Sequence, residues 1–217
     1  MKIPNNWTFK SKEVAEGFDA HVREQLPWYS MLTRMVAHIG RHYIPESGIV
    51  YDIGASTGNI GNALRDTLEV RSAEFIPLDN SPDMLPLYTG PGDMIIADAV
   101  DYEYKKFDFA VCFLVVMFMP PEKRTAWLRG MRQKIKPGGC MVVVDKCVPF
   151  PGYLGTCMSR LALSEKYQAG VPSEQIIEKE LSLAGVQRPL CFGTMPPDAK
   201  EVFRFGDFAA WVLESAE

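Results

Sequence analysis

Apolar residues recur at every fourth position near the start of the chain. Val14, Phe18, Val22 and Leu26 form one stripe, which predicts an amphipathic helix over residues 11–25 capped by Ser11. Pro27 opens a second helix, whose face of Tyr29, Leu32, Met35, Val36 and Ile39 stops at Pro45-Glu46-Ser47-Gly48. From residue 49 the period changes. Short apolar runs at 49–53, 73–78, 94–97, 107–114 and 140–145 alternate with helical segments at 60–67, after Ser81-Pro82-Asp83, and at 121–135. Such alternation predicts a parallel sheet covered by helices. A further helix is expected over 173–184, and two aromatic strands at 203–205 and 208–213 flank Gly206-Asp207. No repeat or linker interrupts the pattern, so one structural unit is expected, with an N-terminal helical cap over 1–45 packed on a core over 46–217.

With 217 residues, 47% of them hydrophobic, the chain can bury a full core. A net charge of −4 argues against affinity that comes mainly from neutralising phosphates, so a small-molecule partner is favoured over nucleic acid. The five cysteines are odd in number and lack C-x-x-C spacing, which suggests neither a disulfide framework nor a metal site. Residues 1–10 contain no apolar leader, and no later run approaches the ~20 residues of a membrane helix. A soluble cytoplasmic protein is expected, with no membrane partner and with a homodimer allowed.

The chemistry concentrates at one elbow. The run Val50-Tyr51-Asp52-Ile53-Gly54-Ala55-Ser56-Thr57-Gly58-Asn59 delivers an acid and two glycines from a strand into a turn, where Thr57 or Asn59 can cap the helix that follows. A second strand ends in Asp79, 25 positions after Gly54, and a third in Asp98. In a doubly wound sheet these strand ends share one crevice, where Asp79 can accept from a ribose diol and Asp98 from an adenine amino group. An ordinary turn-capping role for Asp79 and a solvated loop role for Asp98 are the competing readings. The G-x-x-x-G spacing differs from the dinucleotide fingerprint, and no Gly-Lys-Ser/Thr follows for a triphosphate. A nucleoside with an amino-acid tail and no phosphate fits better.

These residues resemble the class I S-adenosylmethionine-dependent methyltransferases. Asp52-Ile53-Gly54-Ala55-Ser56-Thr57-Gly58, Leu78-Asp79, Asp98-Ala99 and Lys136-Pro137-Gly138-Gly139 look like four of their motifs in order. The resemblance implies a Rossmann-like α/β fold with a seven-stranded, mostly parallel sheet, helices on both faces, and S-adenosyl-L-methionine as cofactor with S-adenosyl-L-homocysteine as product. A weaker likeness spans nearly the whole chain. Leu26-Pro27-Trp28-Tyr29, Asp79-Asn80-Ser81-Pro82-Asp83-Met84, Phe118-Met119-Pro120-Pro121-Glu122-Lys123-Arg124 and Asp145-Lys146 are similar to segments of the carboxy-S-adenosylmethionine synthases of tRNA wobble-uridine modification. That likeness implies that Tyr29 folds over the cofactor and that Gly54, Ala55, Ser56, Asp79, Asn80, Asp98 and Ala99 line its site. Asp52, Gly58, Met84 and Phe113 complete the expected set. Two positions depart from those synthases: Phe113 stands for a cofactor-facing asparagine, and Tyr167-Gln168-Ala169-Gly170-Val171-Pro172 lacks the arginine that holds the extra carboxylate. Without that cation a buried carboxylate would lose its pair, which favours plain S-adenosylmethionine.

Methyl transfer from a sulfonium chiefly needs an oriented acceptor and, for a weak nucleophile, a base. Candidates on the acceptor side are His21 and Arg23 on the first helix, Asp145 and Lys146 at the end of a strand, and Tyr153 in a segment able to cover the site. Each has a plainer alternative: a solvent-facing histidine, an ion pair or a packing aromatic. The run after Phe113 lacks the polar residue before Pro-Pro that amino-methyltransferases of DNA show, so DNA is disfavoured. A small-molecule acceptor is favoured and tRNA stays open. The leading function is methyl transfer to an unidentified acceptor; the alternatives are a carboxy-S-adenosylmethionine synthase-like enzyme and a non-catalytic cofactor-binding protein.

Overall fold

A computed structural model describes residues 12–215. Ser11 and the side chains of Val14 and Phe18 lie outside what is described, so the first half of the predicted stripe stays an expectation. Helices α1 (Lys12–Gln25) and α2 (Tyr29–Tyr43) precede β1 (Ile49–Ile53), α3 (Asn59–Val70), β2 (Glu74–Asp79), a 3₁₀ turn (Pro82–Leu87) and β3 (Ile95–Ile96). Then follow β4 (Phe107–Phe113), α4 (Pro121–Lys134), β5 (Ile135–Lys146), α5 (Tyr153–Gln168), α6 (Ser173–Ser182), β6 (Lys200–Phe205) and β7 (Phe208–Glu214).

The seven strands form one sheet in the order β3-β2-β1-β4-β5-β7-β6. The first five are parallel, and β7 runs antiparallel to both β5 and β6. The order reverses direction between β1 and β4, which opens a crevice at the carboxyl ends of these strands. Successive strand residues point to opposite faces. Val50, Phe109, Val111 and Val142 pack with Leu32 and Val36 of α2 and Leu64 and Leu68 of α3. Tyr51, Phe107, Met141 and Val143 meet Trp127, Leu128 and Met131 of α4 on the other side.

Three details depart from the expected pattern. Ile135 already pairs with Phe107, and the next pair is Phe109 with Cys140, so Lys136-Pro137-Gly138-Gly139 bulges out of β5 instead of preceding it. Helix α5 fills a region where no helix is expected, because nearly every side chain on it is at least partly exposed and no apolar stripe marks it. Helix α2 begins two residues after Pro27 and shares the buried cluster of the sheet.

Candidate functional site

The glycine elbow is built by close approach. Gly54 and Gly58 hold left-handed backbones at φ +78° and +93°. A Cβ at Gly54 would come within 2.2 Å of the Val115 side chain, and one at Gly58 within 2.5 Å of the Gly90 nitrogen. The loop's donors turn inward: Gly54 and Ala55 N–H donate to Leu78 O, both at 2.8 Å, Gly58 N–H to Ala55 O at 2.8 Å, and Ser56 N–H to Asp79 Oδ2 at 2.9 Å. A phosphate cradle needs such donors facing the ligand. With them consumed, this loop suits a ligand whose nearby groups are cationic or apolar.

Asp79 caps its turn and ties down the glycine loop. Its Oδ1 accepts from Ser81 N–H at 2.9 Å, as a turn-capping acid does, while Oδ2 holds the glycine loop. A carboxylate has about four acceptor positions, so these bonds do not exhaust its capacity to accept from a ribose hydroxyl. Burial raises the Asp79 pKa, and the Ser81, Ser56 and Asn80 N–H groups oppose that shift. Asp98 is exposed; its Oδ1 accepts from Val100 N–H at 2.8 Å, fixing the turn that carries Ala99.

A cavity of about 350 Å³ lies at the carboxyl ends of the strands. Tyr29, Gly54, Ala55, Ser56, Asp79, Asn80, Met84, Asp98, Ala99 and Phe113 all line it. Asp52 and Gly58 do not: they stand behind the loop. Gly58 abuts Gly90 and Tyr88. Asp52 is 1% exposed; burial, and then the Asp79 charge, push its pKa up to about 7, with Gly61 N–H opposing. Neither Thr57 nor Asn59 caps α3, since Gly58 occupies the cap position with no side-chain bond. Both serve α1 instead: Thr57 Oγ1 and Asn59 Nδ2 each donate to Asp19 Oδ1 at 2.7 Å. Helix α1 is thereby latched to the elbow.

Of the acceptor-side candidates, His21 and Lys146 line the cavity and Arg23, Asp145 and Tyr153 do not. Arg23 extends the latch, donating to Ser30 Oγ at 2.7 Å and Asn59 Oδ1 at 2.8 Å and lying 5.4 Å from the Tyr29 ring centre. Tyr153, the first residue of α5, is 75% exposed. Asp145 is wholly buried and accepts from Lys146 N–H at 2.8 Å and Met117 N–H at 3.3 Å. With Arg124, which donates to the carbonyls of Met117 and Met119, it fixes the backbone that follows β4. That segment, Leu114 to Pro120, forms an apolar cavity wall with Phe113, whose ring meets Tyr29 edge-on at 5.3 Å. Leu114 holds φ +60° and Ser56 +51°, two strained non-glycine backbones on one cavity.

Two cations also reach the cavity from regions where the sequence offers no motif. Lys166 of α5 and Lys179 of α6 join Lys146 on its lining, beside Glu180. Gln168, in the segment that lacks the synthases' arginine, hydrogen-bonds to Ser164 along α5, while Lys166, just before that segment, lines the cavity. The spacing from Lys146 to Lys166 to Lys179 spans three elements, so only their packing reveals the group.

The comparisons with known proteins agree with this geometry. A methyltransferase domain family model matches residues 50–139. A carboxy-S-adenosyl-L-methionine synthase of Staphylococcus epidermidis is 30% identical over 192 residues, covering 86% of this chain and 84% of its own length. The chain belongs to the class I S-adenosylmethionine-dependent methyltransferase superfamily, as a relative of those synthases. It is therefore an enzyme with S-adenosylmethionine as cofactor. Among solved structures, a Methanococcus maripaludis protein assigned as an S-adenosyl-L-methionine-dependent methyltransferase aligns over 100% of this chain and 98% of its own, at a TM-score of 0.59 and 14% identity. Human N-acetylserotonin methyltransferase gives the same TM-score at 11% identity, with this chain spanning 58% of it. At such identities the likeness is one of fold. Among the described residues no helix is long and apolar enough to cross a membrane.

The residues present fit this cofactor. The glycine cradle leaves no room for a Cβ, Asp79 keeps acceptor positions open toward the cavity, and the loop withholds its donors from an anion.

Proposed function

We propose that this enzyme transfers a methyl group from S-adenosylmethionine to a small-molecule acceptor. The observation that carries the reading is one cavity of about 350 Å³ lined by two chemically different sets of residues. In this reading the donor half takes the glycine loop, Asp79, Asn80, Met84, Asp98 and Ala99, and the acceptor half takes Phe113, the apolar residues that follow it, Phe208 and the lysines. The cofactor supplies a methyl carried on a sulfonium. In this reading Asp79 and Asp98 hold the nucleoside, while Tyr29 and Phe113 exclude water from the junction between the halves. His21 lines the cavity, but burial, with Lys179 and Lys166, pushes its pKa down to about 4, so it stays a neutral imidazole that resists taking a proton and is not assigned as a general base. A cavity of this size suits a metabolite; a folded tRNA would have to insert a single base. The test is release of S-adenosylhomocysteine on incubation with a panel of metabolites, with tRNA and DNA alongside. Turnover confined to tRNA would overturn the small-molecule assignment, and binding without turnover on every class would favour a non-catalytic role.

A second reading is favoured by the relative from Staphylococcus epidermidis and by the lysines near the position where the synthases carry their arginine. In it the cofactor bears an extra carboxylate. Mass spectrometry of the nucleoside that co-purifies with the protein separates the two, a carboxylated nucleoside supporting this alternative.

A further inference from the structure

Helix α1 presents two different faces. Asp19 and Arg23 hold the elbow, and His21 and Gln25, each two positions further on, lie about 200° round the helix from them. His21 and Gln25 line the cavity, in step with Tyr29 one turn later. The charges that reach His21 are those of Lys179 and Lys166, so this face looks toward α5 and α6 and away from the glycine loop. Gln25 is only 6% exposed, yet among the described residues neither its Nε2 nor its Oε1 has a hydrogen-bond partner, and both atoms are closed to solvent. An unpaired amide in the interior destabilises the fold, where a methionine would fill the same space without that cost. No bond within the described residues requires an amide at this position.

We infer that Gln25 is a specificity residue for the acceptor, its amide pairing with an uncharged planar group that donates and accepts at once, a carboxamide or a lactam. This rests on the small-molecule methyl-transfer reading and names the substrate class. A carboxylate would meet the Nε2 donors and set a second acceptor against Oε1, and an ammonium would do the reverse. Only a group with both functions satisfies both atoms. The side chain is long and unbranched, so a ligand on the cavity wall draws the amide out by rotation about its torsions. Since the amide has no water to give up, the protein's share of the desolvation is already met before the ligand arrives. Tyr29 and Phe113, whose rings meet edge-on at 5.3 Å, supply an aromatic surface on the same cavity for the planar body.

The experiment compares benzamide with acetophenone, in which a methyl replaces the amide nitrogen, so that shape and carbonyl are kept and the donor is lost. Each is titrated by ligand-observed NMR into the protein loaded with S-adenosylhomocysteine and, separately, apo. The parent is expected to bind benzamide at least about tenfold more tightly than acetophenone. In Gln25→Met, and likewise in Gln25→Leu, the two ligands should differ by less than about twofold, with S-adenosylhomocysteine affinity retained. The melting temperature of Gln25→Met should equal or exceed the parent's, because an unpaired buried amide has been removed. Equal binding of the two ligands by the parent, binding of neither, or a preference unchanged in a folded variant overturns the inference. A drop in S-adenosylhomocysteine affinity in both variants would assign the amide to the donor and overturn it too. A melting temperature clearly below the parent's in both would show that the fold itself uses the amide, with the same consequence. Failure of the parent to bind S-adenosylhomocysteine would count against the methyl-transfer reading, and the apo titration then decides the role of Gln25 alone.

Discussion

Replacing Asp79 with alanine separates its two tasks. In the cofactor-free protein its oxygens accept from Ser56 and Ser81 N–H, both at 2.9 Å; Ser56 lines the cavity, where water can take over, whereas Ser81 is fully buried. The cost to folding is therefore about 1–2 kcal/mol, most of it from the stranded Ser81 donor. The cost to binding is larger, because the ribose diol loses a charged acceptor and the glycine loop loses its tie. Hydrogen bonds to a charged group contribute about 1.5–3 kcal/mol each, and rehydration of the diol offsets part of the sum. The expected net loss is about 1.5–3 kcal/mol, a rise of roughly ten- to 150-fold in the dissociation constant. Titration calorimetry with S-adenosylhomocysteine measures it, and a melting curve on the same sample checks the fold. An unchanged dissociation constant in a folded variant would remove Asp79 from the ribose role. A collapse of the melting temperature would show that its weight lies in holding the loop.

Gly58→Ala should destabilise the protein by about 2–4 kcal/mol, since the added methyl meets Gly90 at 2.5 Å with φ at +93°; denaturant melting reads the loss, and a near-neutral effect would refute the close-packing argument. Asp145→Ala should cost about 2–4 kcal/mol by stranding the Met117 and Lys146 N–H groups in the interior, again by melting; a stability near that of the parent would show the acid to be dispensable as an anchor. Asp52 titrates near 7 in the fold against 3.8 unfolded, so the native state keeps a proton that the unfolded chain releases between those values. The Asp52 contribution to stability should fall as the pH rises from about 4 to about 7 and level off above, and Asp52→Asn should remove that component; Asp145, also pushed up to about 7 by burial, acts in the same direction, while His21 and Lys179, both pushed down, act in the opposite one. A slope identical in the variant would contradict the burial argument for Asp52.

The donor half of the site was legible because its chemistry is local. The turn at Gly54 and Gly58, the acid closing β2 and the acid after β3 each stand at a strand end, and alternation of strands with helices dictates that such ends converge. The hairpin of β6 and β7 was equally readable from its aromatic strands around Gly206-Asp207. What escaped is of another kind. Helix α5 buries little, so the apolar period that reveals a helix is missing from it, and the lysines it helps to assemble come from separate elements. Asp145 ends its strand among the right neighbours yet points into the interior, a choice made by Met117 and Arg124 rather than by spacing. Thr57 and Asn59 look like helix caps, and only the docking of α1 gives them a different partner.

That docking has a mechanical meaning. Asp19 reaches Thr57 and Asn59, Arg23 reaches Asn59, and between these anchors His21 and Val22 face the cavity. The hydrogen bonds that steady the cofactor loop are the same ones that keep α1 shut over it. The elbow and the N-terminal helix are thus mechanically one piece: parting this small polar clasp frees the loop and the helix together.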